Sequence, residues 1–157
     1  MRLEDPILRW ILTDDRLRSL GADGCRAVVE ALFALVLADG RRTDDELRRV
    51  RREMMRLPWQ WDHKQELAEQ ALEAAQIRLT ERAEELANGS MARDIATRIP
   101  TQPAREVVLK MLYAVAIADG ISQPEEDRIL VFRDAFGISE ERAAQLREAA
   151  GTSNLRN

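Results

Sequence analysis

The stretch Leu32-Phe33-Ala34-Leu35-Val36-Leu37-Ala38-Asp39-Gly40 returns 80 residues later as Leu112-Tyr113-Ala114-Val115-Ala116-Ile117-Ala118-Asp119-Gly120. Each copy is apolar for seven residues and then breaks on Asp-Gly. An apolar run without a polar face fits a helix covered on every side. The Gly that follows suits the left-handed conformation in which helices commonly end. The register extends without a gap, matching Val28 with Val108, Glu46 with Glu126 and Arg48 with Arg128. A repeat of this kind implies two central helices packed on each other, with the outer helices covering them.

Working outward from that pair, apolar positions recur at spacings of three and four, aromatic residues make up only 4%, and strand-type alternation is missing. The chain therefore reads as an all-α bundle of about seven to eight helices with an internal pseudo-two-fold repeat. A first helix is expected from Asp5, with Pro6 in its first turn, through Leu8, Ile11 and Leu12. The first central helix should run from Asp23 to Ala38. Thr43 with Glu46 three residues on forms a capping box, opening a helix that stops at Pro58. Asp62 is read as the cap of a long helix reaching Leu86, with Asn88-Gly89 as its stop. Ser90 should cap a short helix ending at Ile99-Pro100. The remaining helices are expected at 102–118, 123–136 with Gly137 as stop, and 139–150. The whole is one domain over 1–150, with repeat halves at about 24–58 and 104–150 and a mobile tail at 151–157. Over the apolar cores of the two central helices, 27–38 and 107–118, Glu30 and Lys110 are the only charges. They fall at equivalent positions, either pairing near the pseudo-axis or lying at exposed helix ends.

The chain has 157 residues, with 24 Lys and Arg against 28 Asp and Glu, a net charge of −4, one His and one Cys. That length supports a core without staples, and the acidic balance gives no global attraction to nucleic acid. Cys25 has no partner for a bridge or a Cys-based zinc site and reads as a small core residue. The longest nearly apolar stretch, Ala27 to Ala38, carries Glu30 and falls short of the roughly 20 residues that span a bilayer. Arg2, Glu4 and Asp5 do not make a signal peptide, so a cytoplasmic location is expected, peripheral at most at the inner face of the membrane.

Asp39, Asp44, Asp45 and Glu46 in the first copy, and Asp119, Glu125, Glu126 and Asp127 in the second, could supply the oxygen ligands that Ca²⁺ or Mg²⁺ prefers. The same residues also suit turn amides and helix N-termini, and the two roles can coexist. His63 has no second His for a metal set. No nucleophile-base arrangement or phosphate-cradling loop can be picked out, so no enzyme activity and no small-molecule substrate are expected. Trp59 and Trp61 would close a helix corner or anchor a partner, and Trp10 offers the same choice. Arg48, Arg49, Arg51, Arg52 and Arg56 make either a solvated helix face or a contact for phosphate or anionic lipid.

An apolar helix, Ala-Asp-Gly, a short connection and an acidic helix start, present twice about eighty residues apart, is similar to the tellurite resistance TerB-like family. The resemblance spans roughly Gly24 to Ala150 and includes Phe136-Gly137-Ile138-Ser139. It implies a compact α-helical domain without established catalysis, used as a scaffold in bacterial stress-response systems and near membranes. It also implies divalent metal at the acidic positions, which here are Asp39 and Glu46, then Asp119 and Glu126. The sequence departs from the pattern at Arg41-Arg42, which adds positive charge beside the first corner. Pro124 is a second departure, and beside it Ser122 and Glu125 form a capping box one residue out of register with Thr43 and Glu46. No His-Pro-Asp tripeptide accompanies the domain. The resulting expectation is an interaction or scaffold module with protein partners, a candidate divalent cation, and Trp59, Trp61, Arg48, Arg49 and Arg52 as candidate contacts. A regulatory sensor switched by the cation is the alternative, and an anionic-lipid or nucleic-acid adaptor using the Arg run is the weaker third reading.

Overall fold

A helix that is apolar all round must be surrounded, and two such helices bury most surface by packing on each other. The computed structural model describes residues 15–40, 43–118 and 120–155, with Trp61 and 153–155 described by backbone alone. Among the described residues there are eight α-helices, two short 3₁₀ turns at Asp15–Leu17 and Trp61–His63, and no strand. The helices are α1 (Ala22–Val36), α2 (Asp44–Met54), α3 (Lys64–Glu81), α4 (Ala83–Ala87), α5 (Ser90–Thr97), α6 (Gln102–Ile117), α7 (Gln123–Phe136) and α8 (Glu140–Leu155).

The repeat is carried into the packing. Helix α1 packs on α6, and Val28, Leu32, Phe33, Val108, Leu109 and Leu112 are fully buried between their neighbours. Helix α3 lies along α1 as α8 lies along α6. Each acidic helix touches both central helices, since α2 contacts α1 and α6 while α7 contacts α6 and α1. The two halves therefore interlock instead of standing side by side.

Several helix ends differ from the sequence expectation, each for a local reason. The expected first helix at 5–12 lies outside the described residues. The long helix expected from Asp62 to Leu86 begins later, because a 3₁₀ turn occupies 61–63 and α3 starts after His63, whose side chain makes no cap bond. It also divides at Arg82, where φ −113° and ψ 36° leave the helical region and α4 turns to pack on α5. Ser90 is not a cap. Gly89 precedes it at φ +83°, and Asn88 Oδ1 accepts the Ser90 amide at 2.9 Å. Helix α7 starts and stops where expected, with Gly137 left-handed at φ +69°. Ser139 caps α8 by accepting the Arg142 amide at 3.1 Å. Helix α8 then continues through Gly151 to Leu155, past the expected stop near Ala150.

Glu30 does not pair with Lys110. Its buried carboxylate receives Arg98 through two bonds, Nη1 to Oε1 at 3.1 Å and Nη2 to Oε2 at 2.9 Å. Arg78 Nε stands 2.9 Å from Oε1 as a further ion pair, and Arg78 Nη2 reaches Asp94 at 2.8 Å. Arg98 also holds Asp23 at the start of α1, and this contact lowers the Asp23 carboxyl below its ordinary range. One buried glutamate thus ties α1, α3 and the end of α5 together.

Candidate metal centre

At both corners the glycine is left-handed and its amide bonds back three residues. The Gly40 amide donates to Leu37 O at 3.4 Å and the Gly120 amide to Ile117 O at 3.2 Å, with φ +73° and +81°. A Cβ would meet nothing within 4 Å at either glycine, so backbone conformation alone demands glycine there. Asp39 is held half-buried at the first corner. Asp119, its sequence counterpart, lies outside the described residues.

Beyond each corner an N-cap opens the acidic helix. Thr43 Oγ1 accepts the Glu46 amide at 3.1 Å, which aims Glu46 inward until only 6% of it is exposed. The second helix start forms the full reciprocal box. Ser122 Oγ accepts the Glu125 amide at 3.3 Å, and Glu125 Oε1 accepts the Ser122 amide at 3.0 Å and the Ser122 hydroxyl at 2.9 Å. Glu125 is 5% exposed, and the box uses only one of its two oxygens.

Asp39, Glu46 and Glu125 converge, each offering a carboxylate oxygen within 4.8 Å of the other two. Three chain segments from both repeats therefore meet at one point. Glu125, not Glu126, is the structural counterpart of Glu46. The connection from Gly120 to Ser122 is one residue shorter than that from Gly40 to Thr43, so the ungapped sequence register slips at the turn. Adjacent helical positions are about 100° apart, and Glu126 consequently faces α8, where it binds Arg147 at 2.9 Å. That same guanidinium lies 5.9 Å from the centre of the Tyr113 ring.

The other acidic candidates are not brought in. Asp44 and Asp45 are exposed, and Asp45 pairs with Arg48 at 3.0 Å. Asp127 accepts from Gln123 at 2.9 Å. His63 is exposed, 3.6 Å from Glu66.

Residues present at the corner fit a hard divalent cation. Ligand oxygens on opposite sides of Ca²⁺ stand about 4.6–5.2 Å apart, and those around Mg²⁺ about 4.0–4.2 Å, from bond lengths near 2.3–2.6 and 2.0–2.1 Å. Oxygens no more than 4.8 Å apart fall within the reach of either cation after small side-chain adjustments. An all-oxygen donor set suits these cations better than zinc or copper.

Arg128, one turn beyond Glu125, fixes the second repeat against the first. Its Nη1 donates to Ala34 O, in the last turn of α1, at 2.9 Å. Burial lowers its pKa, and its charge lies where the α1 dipole is negative. The sequence alignment offered Arg128 only as a match to Arg48. Nothing in the linear pattern showed that it reaches across to the other copy.

The candidate partner contacts are mostly used internally. Trp59 is 4% exposed and its Nε1 donates to Met54 O at 2.8 Å, so it plugs the corner after α2. The Trp61 side chain and Trp10 lie outside the described residues. Of the Arg run, Arg48 pairs with Asp45, Arg51 with Glu69 at 2.9 Å and Arg56 with Glu53 at 3.0 Å. Arg49 is half-buried and engaged, and Arg52 is exposed. Among the described residues no helix is long and apolar enough to cross a membrane. In comparisons with known proteins, no family model, curated protein or solved structure matches the chain.

Proposed function

We propose that this chain is a non-catalytic interaction module of the TerB-like kind, a scaffold in a bacterial stress-response system that holds a divalent cation at Asp39, Glu46 and Glu125. The observation that supports this reading is the convergence of those three carboxylates from two repeats, two of them buried. A cation held by these three carboxylates would link the end of α1 to the starts of α2 and α7. The scaffold's partners would be proteins docking on the bundle's outer helices.

A sensor reading draws on the same residues. Because the ligands come from both repeats, gain or loss of the cation changes how α2 and α7 are held, and partner binding would follow. The lipid or nucleic-acid adaptor has less support, since three of the five run arginines already face carboxylates.

Calorimetric titration with Ca²⁺, Mg²⁺ and Mn²⁺ tests the site. Wild type should bind, with Ca²⁺ tighter than Mg²⁺, and Asp39→Asn, Glu46→Gln and Glu125→Gln should each weaken binding at least tenfold. Asp44→Asn and Asp45→Asn should not. Absence of heat for all three cations would refute the cation site. Co-purification from the native host, with and without chelator, then separates sensor from scaffold: a partner lost on chelation indicates the sensor, and one retained indicates the scaffold.

A further inference from the structure

The three carboxylates do not hang on one piece of chain. Asp39 follows the end of α1 and Glu46 lies in the first turn of α2, close together in sequence, whereas Glu125 arrives on α7 from the other repeat. Glu125 is 5% exposed and both of its bonds to Ser122 use Oε1, so its Oε2 has no donor among the described residues and is left for a ligand. No short connection holds that oxygen against Asp39 and Glu46.

The polar tie that does so is Arg128. One helical turn beyond Glu125, its Nη1 donates to Ala34 O at 2.9 Å across the boundary between the repeats. That carbonyl is open because α1 is ending, and the Ala38 amide turns to Leu35 O instead. Among the described residues no carboxylate pairs with Arg128, so its partly buried charge is answered by the carbonyl and by the negative end of the α1 dipole. Ala34 stands five residues before Asp39 in the chain. The bond therefore joins the two segments that carry Asp39 and Glu125. Resting on the cation site proposed above, we infer that Arg128 is its positioning residue: by fastening the start of α7 to the last turn of α1, it brings Glu125 to the other two carboxylates and sets the affinity for Ca²⁺ without being a ligand. A ligand already held in place need not be gathered when the ion binds, and the ordering cost falls accordingly.

Titration calorimetry with Ca²⁺ compares wild type, Arg128→Met, Glu125→Gln, their double variant and Arg105→Met. Arg105 is a matched control. It too closes a helix end, donating to Ile99 O at 2.8 Å and Ala96 O at 2.9 Å, but from the first turn of α6, at the opposite end of that helix from the Asp-Gly corner. Arg128→Met should weaken binding by about tenfold or more, and Arg105→Met by less than about twofold. Once the tie is gone Glu125 no longer reaches the ion, so adding Glu125→Gln to Arg128→Met should cost less than about twofold further, a coupling that general loosening of the fold does not produce. By reciprocity Ca²⁺ should tighten the tie, and in wild type the Arg128 guanidinium protons should exchange about fivefold more slowly with saturating Ca²⁺ than with chelator. That exchange rate decides the matter alone if Arg128→Met melts below the assay temperature. Wild-type affinity in Arg128→Met, equal weakening in Arg105→Met, or full additivity with Glu125→Gln overturns the inference and leaves the cation site standing. No heat in wild type removes the site and this role together.

Discussion

Cys25 shows how one buried side chain couples the fold to pH. Burial pushes its thiol from 9.0 up to about 12. The unfolded thiol ionises near 9.0 and the folded one does not, so above that pH the unfolded state has lost a proton that the folded state keeps. The thiol's contribution is therefore complete below pH 9 and declines as pH rises toward 12. At pH 10.5 the decline amounts to about 2 kcal/mol, at roughly 1.4 kcal/mol per pH unit. Urea unfolding at pH 8 and pH 10.5 should show wild type losing about that much more stability than Cys25→Ala; equal losses would mean that the thiol ionises freely in the fold. The sequence made this residue legible as core, because a lone cysteine in an apolar helix has few other places to go. It did the same only partly for Trp59, where aromatic size favours a plug but also suits an anchor, and the burial and the bond to Met54 O decide for the plug.

At the scale of the element, helix identity followed from periodicity and helix ends from caps. Thr43, Thr101, Ser122 and Ser139 all accept an amide of the first turn. Two of the ends that differed were those where a carboxamide and glycine or a 3₁₀ turn displaced the obvious cap, at Asn88-Gly89 and Trp61–His63, while the break at Arg82 and the run of α8 through Gly151 carry no cap signal at all. Those choices depend on backbone paths that composition does not specify. Glu30 was legible as a charge needing a partner, but its partners lie 48 and 68 residues away in chain order, and no local pattern distinguishes Arg78 and Arg98 from other arginines. Because Glu30 is buried, Arg98→Met should cost about 3–5 kcal/mol in denaturant unfolding, leaving the carboxylate short of charge. Glu30→Met/Arg98→Met should cost less than that single change, since a buried ion pair often exchanges for apolar side chains with little loss. If the double variant is the less stable, Glu30 is held mainly by Arg78.

Across the whole molecule, the duplicated apolar helix and Asp-Gly corner foretold two central helices packed on each other, because a helix buried all round needs another like it; that the halves interlock came only from the packing. What the duplication did not foretell was which acidic residues meet. An ungapped register matched Glu46 with Glu126, and a connection shorter by one residue moves that role to Glu125. The cluster is asymmetric, with Asp39, Glu46 and Glu125 drawn from both repeats, and under the proposed cation binding it would set stability against binding. If the carboxylates repel one another when no cation is bound, Glu46→Gln and Glu125→Gln should each raise the metal-free stability by about 1–4 kcal/mol, the range for two charges near 4 Å between bulk water and a protein surface. Glutamine can still serve in the capping box, so Glu125→Gln keeps the helix start intact. With Ca²⁺ at a hundred times its dissociation constant, wild type should gain about 2.7 kcal/mol, or a melting shift of about 5–10 °C, and the two variants little. Thermal melts with chelator and with Ca²⁺ should therefore reverse the stability order of wild type and variants. If wild type ranks below them under both conditions, the carboxylates carry strain without a cation to relieve it; if it ranks above them under both, Glu46 and Glu125 serve the helix starts alone.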